Sequence, residues 1–230
     1  MSTFPVVPGR LALLFGAGVA LFACAGSPDP GLKGLGEMRS HYRQVEEIQG
    51  ALVAGQLDAT RDATRWLSTH EGREYPAEAA PALETMRNEA RTMLRQRDIL
   101  LMSRTLGRMG VACGDCHVAL GTQVAFSDEE PPRTSANPEA QMLRHAWAMD
   151  RLWKGLAGPS EAAWKAGAGA LMTMPVDFGA NEEANRLSAR VHELAGIAQV
   201  STTPRERSDT YGDLLETCAL CHGALRIGTH

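Results

Sequence analysis

Two short segments of this 230-residue sequence combine residue types and spacing that can do redox chemistry: Cys113-Gly-Asp-Cys116-His117 and Cys218-Ala-Leu-Cys221-His222. Cysteines three apart on a helical turn share a face, so their sulfurs can add to the two vinyl groups of one haem. The adjacent histidine then offers its imidazole to the iron as proximal ligand. The same spacing would also suit a zinc site or a thioredoxin-like redox pair. Zinc ribbons, however, bring their pairs within roughly 15–20 residues, whereas a whole domain's length intervenes here, and no βαβ context surrounds either pair. The expectation is two covalently bound haem c groups, attached through Cys113 and Cys116 and through Cys218 and Cys221, with iron held by His117 and His222.

A haem iron with one histidine takes a second ligand or stays five-coordinate. One apolar helical stripe runs Met38, His41, Val45, Ile48, Leu52, and another runs Met142, His145, Met149, Leu152, Leu156. Both follow i, i+3, i+7, i+10, i+14 spacing, which marks one helix face. A histidine sits at the same place in each stripe, so His41 and His145 are the expected distal ligands. Met38 and Met142, one turn earlier, are the alternative, and an open sixth position is the third possibility. The choice matters because His/Met ligation raises the reduction potential. His70, His192 and His230 read as solvated surface, and the tryptophans as core or haem-edge packing. Arg87, Arg91 and Arg95 read as a solvated basic stripe, with a docking patch as the rival reading.

The elements that must position these residues repeat. Met38-Arg-Ser-His41 returns as Met142-Leu-Arg-His145, 104 residues on, and Cys113 returns as Cys218, 105 residues on. A period this long means two copies of a domain. Four helices are expected in each copy, near 35–54, 57–70, 77–97 and 98–117, then near 138–157, 160–174, 181–200 and 204–222. Asn137-Pro138 and the capping-box spacing from Thr203 to Glu206 mark two of the starts. No stretch alternates with period two over strand length, so the fold class is all-α: two tandem antiparallel four-helix bundles, each with its haem motif on the last helix. The expected boundaries are a leader at 1–23, a flexible tether at 24–36, bundles at 37–126 and 138–230, and a linker at 127–137. The halves are expected to fold and bind haem separately; the competing arrangement buries apolar surface of one copy against the other.

Arg10 followed by the apolar run Leu11–Ala23 reads as an export signal to a bacterial periplasm, too short to span a bilayer comfortably. Leu21-Phe22-Ala23-Cys24 resembles a lipobox, making Cys24 a lipid anchor to a membrane. Cleavage at an A-x-A pattern, giving a soluble protein, is the alternative. Net charge is −4, which argues against nucleic acid as a partner, since binding phosphate backbones needs a basic face.

Taken together, the motifs resemble the cytochrome c′/c-556 family, an antiparallel four-helix bundle with C-x-x-C-H on its last helix and the distal position on its first. The resemblance covers 37–121 and 138–228, as a tandem duplication. It implies that Cys113, Cys116, His117, Cys218, Cys221 and His222 are the attachment residues. The family's basic residue four places after the haem histidine is matched by Arg226 but replaced by Gly121 in the first copy. Histidine on the first helix also departs from the family, which usually has an apolar residue or methionine there. The expected function is one-electron transfer with redox partner proteins and no enzymatic reaction. A gas-binding or sensing protein with a displaceable distal ligand is the alternative, and a haem peroxidase would need His41 free over an open iron.

Overall fold

Helix starts are set by local chemistry. The Asn137 side chain accepts from the Glu139 amide, with Pro138 at the first helical position. Asp98, Ser160 and Asn181 cap three further helices in the same way. Thr203 and Glu206 close the full capping box, satisfying amides that the helix itself leaves unpaired. The resulting elements are α1 (Pro30–Val53), α2 (Arg61–Thr69), α3 (Ala80–Arg95), α4 (Ile99–Ala119), α5 (Pro138–Ala157), α6 (Glu161–Leu171), α7 (Glu182–Val200) and α8 (Pro204–Ala224). Short 3-10 turns at Leu57–Thr60 and Ala77–Ala79 lead into α2 and α3. This computed structural model describes residues 30–72, 75–124, 129–133, 137–172 and 176–227; the expected leader, Cys24 and His230 lie outside them. Among the described residues the chain is all-α, with no strand and no helix long and apolar enough to cross a membrane.

α1 begins at Pro30, inside the stretch expected as a tether. Proline suits a first helical position because its fixed φ is already helical and its missing amide would be unpaired there. Helices adjacent in sequence pack on one another within 30–119 and again within 138–224, and α4 lies along α8. The α4–α8 crossing is very close. A Cβ on Gly107 would sit 2.4 Å from the Ser208 carbonyl oxygen, and one on Gly212 would sit 2.7 Å from Arg104 Cα. Gly107 and Gly212 are equivalent positions of the repeat, so the crossing is nearly symmetric. Arg104 also pairs with Asp213 across it at 2.9 Å.

Buried side chains contributed by all eight helices form one continuous apolar cluster, running from Val45 through Leu106 and Trp164 to Leu215. Polar contacts between the first helix of one copy and the second copy reinforce it. Tyr42 donates to Asp150 at 3.1 Å, and Gln49 donates to the Tyr211 hydroxyl at 2.7 Å. The described part of the expected linker is held against α5, where Arg144 donates to the Pro132 carbonyl at 2.6 Å and Arg151 lies 3.9 Å from the Glu129 carboxylate.

Candidate functional site

Met38 and His41 from α1 line one cavity with Cys113, Cys116 and His117 from α4. Met142 and His145 from α5 line a second with Cys218, Cys221 and His222 from α8. The space between the lining atoms, open mouths included, is about 640 Å³ in the first and about 1010 Å³ in the second. The remaining walls are largely apolar. Leu83, Met86 and Met109 close the first, and Val176, Phe178 and Val191 the second.

His41 is 6 % exposed and its Nε2 is buried with no hydrogen-bond partner in the protein. An unpaired buried ring nitrogen costs free energy comparable to a lost hydrogen bond, about 1–3 kcal/mol. Burial, with His70 beside it, lowers the His41 pKa to about 4. Burial, with Arg144 and His222 nearby, lowers that of His145 to about 4 as well. Both rings are therefore neutral near pH 7, with a lone pair free to donate. All four motif cysteines are free thiols. Burial and the neighbouring cysteine push Cys113 and Cys218 up to about 12, so neither is a ready thiolate of the thioredoxin type. Among the described residues no group of three or more His, Cys, Asp or Glu side chains converges as a bare metal ion would require.

Comparison with family models, with curated proteins and with solved structures finds no match.

Two features of the site escape the sequence reading. His70, expected as solvated surface, caps the end of α2 and stacks on Trp66 with ring centroids 4.3 Å apart. Its ring meets His41 edge-on at 4.7 Å, and Trp66 meets His41 at 5.4 Å. The i, i+4 spacing of Trp66 and His70 was the available signal, since it places both on one face of α2. The second feature is cross-copy lining: Trp153 and Ala157 of α5 close the first cavity, and Val53 of α1 closes the second. The basic stripe, by contrast, is satisfied locally. Arg87 and Arg91 pair with Glu84, and Arg95 donates to Thr92.

His117 and His222 sit at equivalent helix ends. After α4 the chain turns at Gly121 with φ 61°, and after α8 at Arg226 with φ 55°. The Thr122 and Ile227 amides then donate back to the His117 and His222 carbonyls at 2.8 and 2.9 Å. This is the six-to-one closure of a left-handed helix cap. The turn explains why glycine can stand at position 121.

Proposed function

We propose that the chain is an exported dihaem c-type cytochrome that transfers electrons one at a time to redox partner proteins. It would be built as a duplicated four-helix bundle of the cytochrome c′/c-556 kind, exported through the leader at 1–23 and tethered through Cys24. Haem supplies the one-electron chemistry when bound; the chain's own residues attach, orient and desolvate it. Cys113 and Cys116, like Cys218 and Cys221, are the thioether sites, and His117 and His222 the proximal ligands. His41 and His145 are the distal ligands, each presented from the first helix of its copy.

The observation that supports this reading is that His41, whose Nε2 is buried and unpaired, lines the same cavity as a C-x-x-C-H motif. A neutral histidine that lines an apolar cavity, with its Nε2 buried and without a hydrogen-bond partner, is a costly arrangement without an occupant and a suitable one for iron ligation. An apolar surround excludes water and keeps both redox states of a six-coordinate haem in one geometry, which suits electron transfer.

The test is the ferric protein matured with haem. Its mass should exceed that of the polypeptide by two haem groups, and its EPR spectrum should show two low-spin, bis-histidine centres. His41→Ala and His145→Ala should each turn one centre, and only one, high-spin. A mass gain of one haem or none overturns the reading. Two haems that stay low-spin in the double variant transfer the distal role to Met38 and Met142. A high-spin centre in the unaltered protein favours gas binding over electron transfer.

A further inference from the structure

His117 Nδ1 lies 2.7 Å from the backbone carbonyl of Ala157. A carbonyl can only accept, so the proton is on Nδ1 and the Nε2 lone pair is left for the iron. Ala157 belongs to α5, the first helix of the other copy. The reciprocal contact sets His222 against the backbone carbonyl of Val53, at the end of α1. Val53 and Ala157 are equivalent positions of the repeat, each the last residue of its helix.

These two carbonyls are available for a physical reason. The last carbonyls of a helix lack intrahelical donors. The turn after α1 returns its amides to Gly50, Ala51 and Leu52, and the turn after α5 returns its amides to Lys154 and Gly155. Val53 and Ala157 are passed over in both, and each lines the cavity of the opposite copy.

We infer that the C-terminal ends of α1 and α5 are positioning elements for the opposite copy's haem histidine, so the two sites form one coupled unit. The inference rests on the haem reading above. Each first helix then serves both irons: α1 presents His41 to the first and fixes His222 at the second, while α5 presents His145 to the second and fixes His117 at the first. Twelve residues separate His41 from Val53, and His145 from Ala157, about 18 Å of helix. Along that length α1 is anchored by buried Val45, Ile48 and Leu52, so a shift at one end is transmitted to the other. The hydrogen bond also makes the histidine a more basic ligand, which stabilises ferric iron and lowers the potential.

Ala54→Pro in the two-haem protein tests this. Proline at 54 pushes Val53 out of the helical region, turning its carbonyl away from His222. The potential of the Cys218–His222 haem should rise by about tenfold in its ferrous-to-ferric ratio, about 59 mV for a one-electron couple. That of the Cys113–His117 haem, whose histidine is held by Ala157 and not by Val53, should move by less. His41→Met and His145→Met assign the two potentials, since methionine ligation raises the potential of the iron it binds. Should Ala54→Pro fail to mature, His41→Ala carries the test: releasing α1 from the first iron should shift the low-spin EPR g-values of the second haem, where no residue has changed. An unmoved second haem in whichever variant matures, or a shift confined to the first haem in Ala54→Pro, overturns the coupling alone. A parent protein without two haems overturns the haem reading, and this inference with it.

Discussion

Burial fixes what His41 and His145 can do at a given pH. Each is lowered from the ordinary 6.5 to about 4, because an imidazolium would lose its hydration in an apolar cavity. The sign follows directly. As pH falls, the unfolded chain takes up these protons near 6.5 while the folded chain resists them until about 4, so folding stability declines between those values and levels below. Ligation to the proposed haem iron would oppose protonation further. We predict that the low-spin spectrum survives acidification through pH 6.5 and converts to high-spin only at or below about pH 4, read by visible absorption. A transition centred at 6.5 would mean that His41 and His145 are solvated. At this scale much of the site was legible, because C-x-x-C-H and the doubled stripe histidine are local patterns. His70 was not: sequence placed it at a helix end, and only the packing of α2 on α1 brings that end to His41.

Helix periodicity says which face is buried but not what buries it. The boundaries of α5 and α8 follow from Asn137-Pro138 and the Thr203 capping box, and both were readable. The crossing of α4 on α8 was not, because glycine and serine carry no hydropathy signal and the two motifs lie in different copies. Ser103 and Ser208, equivalent in the repeat, are both buried there, and their hydroxyls have no hydrogen-bond partner in the protein. Two residues with almost no side chain let the backbones approach, and dispersion across that contact replaces larger side chains. Gly107→Ala should therefore cost about 1–3 kcal/mol, since its new methyl meets backbone that cannot turn aside. Gly196→Ala on α7, with open space around it, should instead gain about 0.5–1 kcal/mol from reduced unfolded-state freedom. Denaturant midpoints of the two variants should move in opposite directions. Equal shifts would mean that helix propensity, and not the crossing, sets the Gly107 effect. At the capping box, Thr203→Ala should lower stability by about 1 kcal/mol.

Duplication leaves open whether two copies share one chain or one core, and here the packing supports the second arrangement. A half consisting of 37–126 alone would expose the α4 surface that Ser208 and Gly212 cover, and would lose the Ala157 carbonyl that holds His117. A half consisting of 138–230 would lose the Val53 carbonyl, the Gln49 donor to Tyr211 and the Arg104 partner of Asp213. Each is also about 90 residues, a size at which core area is marginal. Covalent haem would add apolar packing within a half, but it cannot replace a missing acceptor for the proximal histidine. Separated halves should therefore be insoluble, or soluble with altered haem-ligand spectra and depressed melting temperatures. Mixing or co-expressing the two should restore the spectrum of the full chain, because the surfaces that complete one another are then both present. Cutting the linker between 124 and 129 in the intact protein should be far milder, since Arg144 and Arg151 keep the following segment on α5. If each half alone reproduces its full-length spectrum and melting, the α4–α8 crossing and the two crossed histidine bonds are dispensable. In that case the doubled chain would be a tether between two independent cytochromes; with recovery only on mixing, it is a single cofactor-binding unit.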